Sequence, residues 1–199
     1  MSTSGGGGYH HGDLRASCLS AALALLEEGD EAALSLREVA RRAGVSANAP
    51  YRHYPDKDAL LAALATHGFN ELRGRLVDAQ DSALAGQELV CLAQSYVRYA
   101  VEHPALFRLM FNRPCDPSHP EVKAAGDAAY AVISPHVVAG VPAESQEARV
   151  AGCWSLVHGL ASLVLYGKLP RGEAAIQEVD ELVHGAVAAM SGSQPATAG

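Results

Sequence analysis

Leu36, Val39, Ala40 and Ala43 recur at the three- and four-residue steps of a single helix face, with charged residues between them. The same rhythm runs through the rest of the chain. Leu14, Cys18, Ala21, Ala22 and Leu25 predict a first helix, capped by Asp13 and ending near Gly29. Leu60, Leu61, Leu64, Phe69, Leu72 and Leu76 predict a long helix from Lys57 to about Asp81. Leu89, Leu92, Ala93, Tyr96 and Ala100 mark a helix from Gly86 to Glu102, which ends at His103-Pro104 because a residue before proline is biased out of helix. A short helix, PALFRLMF, starts at Pro104, and NRPCDPSHP (112–120) reads as a loop. Further helices are predicted from Glu121 to about His136, interrupted near Pro135, from Ala143 to Lys168, and from Ala174 to Met190. There is no strand alternation and no internal repeat. The expected class is all-α, with about nine helices.

The stretch from Ser35 to Leu61 carries the clearest local signals. Ser35 can cap the first short helix, and Glu38 three residues on completes a capping box. Gly44 stops that helix by taking a left-handed C′ conformation. Ser46 is a second N-cap candidate, for a helix from Ala47 to about Tyr54. Pro50 would be its fourth residue, so no intrahelical hydrogen bond is lost there. Asp56 caps the next helix. Two short helices around a tight turn are the grammar of a helix-turn-helix, whose second helix enters the DNA major groove. Between Ser35 and Lys57 the chain has five basic residues (Arg37, Arg41, Arg42, Arg52, Lys57) against Glu38 and Asp56. On periodicity alone, an ordinary helical hairpin with a solvated basic face is the competing reading.

The wording of the stretch goes beyond periodicity. VARRAGVSANAPYRHYPDKDALL closely resembles the DNA-binding segment of the TetR family of bacterial transcriptional regulators. The matching pieces are the VA-x-x-AGVS turn, the Tyr-x-His-aromatic ending and the following Lys-x-x-Leu-Leu. Tyr54 stands where the family usually has Phe, which adds a hydroxyl in need of a partner. YHHGDLR before the first helix, HPALFRLMF, and the Trp154, His158 and Gly159 signature resemble a branch with a WHG-type C-terminal domain. Together these motifs span residues from about 9 to 190. The resemblance implies a helix-turn-helix head (1–60, with 1–8 disordered) and a ligand-binding, dimerising helical body (61–199, with 191–199 disordered). Resemblance and spacing together imply that Arg37 reaches the groove edge and that Ala47, Asn48, Ala49 and Tyr51 face bases. Asn48 can pair with adenine. Ser46, Tyr51, His53 and Lys57 are expected on phosphates of a near-palindromic double-stranded operator.

The penultimate helix is apolar on all sides. Val150, Trp154, Val157, Ala161, Val164 and Leu165 make one stripe, and Cys153, Leu156, Leu160 and Leu163 another. A helix of that kind must be covered all round. With Ile176, Val179, Leu182, Val183, Ala186 and Val187 on the last helix, a homodimer through these two helices is the simplest closure. A helix central to a monomer is the bland alternative. Tyr96, Tyr99, Phe107, Met110, Phe111, Tyr130, Trp154 and His158 are candidate linings of a pocket for a small, largely apolar effector that releases the operator. The same residues also suit a plain core, with His158 held by a backbone carbonyl. A regulator or structural DNA binder controlled by a partner protein, without a small ligand, is the alternative function. A large cavity between body helices would favour a ligand; a solid core would favour the partner.

Composition narrows the remainder. The net charge is −7, with six Lys/Arg and eight Asp/Glu in residues 1–60 and nine and fourteen beyond. Basic charge confined to so small a footprint suits a site-specific binder, not one that coats nucleic acid. The four cysteines (Cys18, Cys91, Cys115, Cys153) are widely spaced and fit a reducing compartment. MSTSGGGG has no features of a secretion signal, and no apolar run is read as reaching the length of a membrane span. A soluble, cytoplasmic chain is expected. His10 and His11 have no partner at metal-ligand spacing. No nucleophile elbow, zinc motif or phosphate loop is present. Neither enzymatic activity nor a cofactor is expected.

Overall fold

The long helix predicted from Lys57 organises the molecule. In the computed structural model, which describes residues 11–29, 31–32, 34–112, 116–169 and 173–191, this helix is α3 (Lys57–Ser82). At about 1.5 Å per residue it is a rod about 39 Å long. Before it lie α1 (His11–Glu28), α2 (Leu36–Arg42) and a 3-10 turn (Pro50–Arg52). After it come α4 (Glu88–Glu102), α5 (Pro104–Asn112), α6 (Pro120–Val138), α7 (Ala143–Leu165) and α8 (Glu173–Ser191). No strand occurs among the described residues. α3 packs against α6, α4 and α5; α4 in turn carries α7 and α8; α1 sits on α2, α3 and α5. One apolar core runs from Cys18 and Val39 through Leu60, Leu64 and Leu72 of α3 to Leu106 and Val183.

Several boundaries differ from the sequence reading. α1 begins at His11, so Asp13 lies inside it and does not cap it. α4 begins at Glu88, because Gly86 takes a φ of +83° in the turn before it. α6 is not interrupted at Pro135. A proline so close to the end of a helix removes only one late bond, and this one ends three residues later at Val138. α7 stops at Leu165: Gly167 is left-handed (φ +69°), and Lys168 N–H returns to Leu163 C=O at 2.8 Å, closing a Schellman-type end. α8 includes Ser191. The tail 192–199, the N-terminal 1–8 and the His10 part of the histidine pair lie outside the described residues. α7 also corrects the membrane reading, since by length and composition it could cross one. Its charges (Glu144, Glu147, Arg149) are confined to its first two turns, which leaves a long apolar remainder.

α3 and α5 cross where glycine permits it. A Cβ at Gly68 would lie 2.6 Å from Met110 Sδ and 3.1 Å from Leu106 Cγ. The Gly68 carbonyl also accepts the Tyr99 hydroxyl at 3.0 Å. Gly126, on α6, has ordinary spacing, with Phe69 Cζ at 3.6 Å. Gly68→Val should therefore destabilise the protein by about 1–3 kcal/mol through overpacking. Gly126→Ala should stabilise it by up to about 1 kcal/mol through helix propensity. Urea midpoints that move in the same direction for both variants would contradict this reading of the crossing.

Candidate nucleic-acid interface

α2 is capped as its sequence requires: Glu38 N–H donates to Ser35 Oγ at 3.2 Å. The reciprocal half of the capping box is not made. Glu38 instead accepts from Arg41 Nε at 2.9 Å, a salt link along the exposed face. Gly44 (φ +68°) ends the helix, with Val45 N–H on Ala40 C=O at 3.0 Å and Gly44 N–H on Arg41 C=O at 3.3 Å.

The next segment departs from the predicted helix. Residues 47–49 are turns, and regular bonding starts only at Pro50 as a 3-10 turn. Ala49 N–H bonds to Ser46 C=O at 2.9 Å, and His53 N–H to Pro50 C=O at 3.0 Å. Pro50 supplies no N–H, so the Ser46 carbonyl takes the Ala49 N–H in place of an α-helical bond from residue 50. Tyr54 closes the segment. Its side chain is 2% exposed, and its hydroxyl donates to the Arg15 carbonyl of α1 at 3.3 Å. That satisfies the hydroxyl that distinguishes it from Phe, and burial pushes its pKa up. Asp56 accepts Ala59 N–H at 2.8 Å and caps α3.

This arrangement leaves Ser46, Ala47, Asn48, Tyr51 and His53 exposed on one segment, with Ala49 half-buried and Arg37 exposed on α2. The basic residues split into two groups. Arg42 makes a fork to Glu28 of α1, with Nη1 at 2.7 Å from Oε1. These forks hold Glu28 and Glu38 below the usual carboxylate range. Lys57 Nζ donates to the Glu31 carbonyl at 2.5 Å, tying α3 to the end of α1. Arg37 and Arg52 are exposed and form no ion pair among the described residues. Arg52 was passed over in the sequence reading because charge counting treats all basic residues alike and cannot tell a tied guanidinium from an available one.

The body brings five of the candidate lining residues together. The Tyr96 hydroxyl and His158 Nδ1 share a hydrogen bond of 2.9 Å. Phe107 stacks on the His158 ring at 5.5 Å, Phe111 meets it edge-on at 4.8 Å, and Trp154 lies at 6.3 Å. Tyr96 and Phe107 are buried, whereas Trp154 is 52% exposed. Met110 is buried against Gly68, and Tyr130 is 41% exposed on α6. Tyr99 points instead to Gly68 and lies under the Arg75 guanidinium, 5.2 Å from its ring centre. A separate cleft on α8, lined by Glu178, Glu181, Leu182, Gly185 and Ala186, includes none of the cluster. Asp58, Asp116 and His119 bring ligand-type atoms within 4.8 Å of one another. Asp116 Oδ1 accepts Ser118 N–H at 2.8 Å, and neither aspartate is without a partner.

The Tyr96–His158 pair predicts a pH dependence. Burial keeps the phenol protonated and lowers the imidazole below its usual 6.5, which favours the neutral ring against Tyr96. Above about pH 6.5 both native and unfolded His158 are neutral and contribute no difference. As pH falls through that value the unfolded state gains a proton that the native state resists, and stability drops. Urea midpoints between pH 7 and pH 5 should fall less for His158→Gln, which keeps an acceptor for Tyr96, than for the natural chain.

Comparison with known proteins agrees with this geometry. Residues 19–64 match the family model described as bacterial regulatory proteins, tetR family. Residues 89–190 match one described as Tetracyclin repressor-like, C-terminal domain. HTH-type transcriptional regulators of Mycobacterium bovis and Mycobacterium tuberculosis are 31% identical over 106 residues, covering 51% of this chain and 45% of theirs. The match thus spans less than half the length of these relatives. A solved protein of unknown function from Rhodococcus sp. RHA1 is 33% identical with a TM-score of 0.77, covering 92% of this chain and 95% of that one. A tetR-family transcriptional regulator from Streptomyces coelicolor shares the fold at 22% identity and a TM-score of 0.71, covering 93% and 83%. The all-helical fold with its N-terminal helix-turn-helix and the two family matches identify a regulator, not an enzyme: the chain belongs to the TetR family of bacterial DNA-binding transcriptional regulators.

Proposed function

We propose that the protein is a repressor that binds a near-palindromic operator as a homodimer and is released by a small, largely apolar ligand. The observation that carries the DNA reading is the exposed row Ser46, Ala47, Asn48, Tyr51 and His53 beside Arg37 and Arg52, which form no ion pair among the described residues. Ala47, Asn48, Ala49 and Tyr51 face bases in this reading, with Arg37 at the groove edge. Ser46, Tyr51, His53 and Lys57 take phosphates, and Arg52 joins them because no carboxylate among the described residues holds it. The head comprises residues 1–60 and the body 61–199. The apolar outer face of α7 is covered by the last two helices of a second copy, not by lipid, as suits regulators that generally act as dimers and are typically cytoplasmic; the site of action is the nucleoid. In the body, Tyr96, Phe107, Met110, Phe111, Tyr130, Trp154 and His158 are the residues available to an effector. Trp154 offers a half-exposed entrance, and the His158 ring a polar anchor. Ring-to-ring packing of the cluster is the observation that supports the second reading, control by a partner protein without a small ligand.

Sequencing genomic DNA fragments retained by the purified protein tests the central claim. A shared near-palindrome is expected, and retention without any common sequence would overturn it. On that site Asn48→Ala should cost about 1–3 kcal/mol at one base position. Arg52→Ala should weaken all sequences alike and lower the salt slope by about one. Identical behaviour of the two variants would refute the division between base and phosphate contacts. For the effector, Trp154→Ala and Phe111→Ala should blunt the operator-releasing compounds found in a broad screen.

A further inference from the structure

α5 has no cap of its own. Pro104 supplies no N–H, and the Phe107 N–H is taken by the His103 carbonyl at 2.8 Å. The two remaining first-turn amides are held from outside: Ala105 N–H donates to Glu27 Oε2 at 3.2 Å and Leu106 N–H to Glu27 Oε1 at 3.1 Å. Glu27 belongs to α1, so a carboxylate of the head closes the positive end of a body helix. The same nine-residue helix carries Phe107 and Phe111, which lie against Tyr96 and His158. On the head side, the last turn of α1 is a junction. Glu28, next in sequence, holds Arg42 of α2. The turn just beyond, at Glu31, is held by Lys57 at the start of α3.

We infer that Glu27 is a positioning residue for DNA binding: it couples α5, and through it the Tyr96–His158 cluster, to the placement of α2 and the recognition segment. A shift of α5 draws the end of α1 with it, and the Glu28–Arg42 fork passes the shift to α2. This gives the cluster proposed above as the control site a route to the head. The physical coupling itself requires no effector, so it stands or falls separately from that reading. The competing route is α3, which Phe111 also touches through Phe69 at 5.3 Å.

Amide hydrogen exchange on the full-length protein decides between the two routes. Phe111→Ala disturbs the cluster and should speed exchange of the α2 amides Val39 and Ala43 about fivefold. In a Glu27→Gln background, which keeps the side chain's size and one acceptor, the same substitution should change α2 exchange by less than about 1.5-fold. An equal acceleration in both backgrounds would assign the coupling to Phe69 and α3 and overturn the inference, as would no acceleration in either. Phe111→Leu replaces the alanine variant if that one melts. A purely structural role for Glu27 would raise exchange in the Glu27→Gln protein but leave the response to Phe111 intact.

Discussion

Replacing Leu163 and Leu182 together by glutamate should give a folded monomer that no longer grips a two-half-site operator. Within one chain, α7 buries Cys153, Ala161 and Val164, and α8 buries Val179, Val183 and Val187. Their outer faces show Leu163 at 43% exposure, Tyr166 at 66% and Leu182 at 46%. A Cβ added at Gly159 or Gly185 would meet nothing within 4 Å, so the flatness of these helices serves no contact among the described residues. It does suit the close approach of a partner helix. Each carboxylate buried at such a junction without a partner costs several kcal/mol, and symmetry doubles the number. Dimer association should weaken by at least about a thousandfold. Sedimentation equilibrium at micromolar concentration would show it, with unchanged helical circular dichroism as the control. A double variant that still sediments as a dimer would place the interface elsewhere.

How far the sequence could be read depends on the range of the interaction. Ser35, Gly44 and Asp56 act on amides within three residues or on their own φ, and their roles were visible in the order of residues alone. Residues 47 to 54 were expected as one helix, and they form an irregular turn followed by the 3-10 turn Pro50–Arg52. Counting orphan amides allows Pro50 in a first turn, whereas Pro50 has no N–H for the Ser46 carbonyl, which takes Ala49 N–H at 2.9 Å instead. Glu38 shows the same limit, because its carboxylate had two partners within reach and took Arg41. Ties between distant segments left no periodic trace. Arg42 meets Glu28, Tyr96 meets His158, and Glu27 reaches the α5 amides 78 and 79 residues away. Tyr96 and His158 were both candidates by residue type, but only the packing of α4 on α7 makes them a pair.

Tyr54→Ala should cost about 3–5 kcal/mol and remove DNA binding while leaving the body folded. The side chain is among the largest fully buried ones, and its removal leaves a cavity between the recognition segment and α1. The segment is poorly able to collapse into that space. Its own bonds are a few 3-10 contacts and one α-type bond, from Tyr54 N–H to Pro50 C=O at 2.9 Å. A loss of that size rivals the whole stability of a small domain, so the helix-turn-helix should open locally before α4 to α8 do. Tyr54→Phe separates packing from hydrogen bonding. The Arg15 carbonyl lies within α1, where the helix supplies it a backbone donor, so loss of the hydroxyl leaves no buried acceptor stranded. That variant should stay within about 1 kcal/mol of the natural chain and keep its operator. Urea denaturation followed by amide exchange in residues 36–54 distinguishes the outcomes. If the phenylalanine variant lost as much as the alanine one, the hydroxyl and not the ring would be holding the recognition segment to the head.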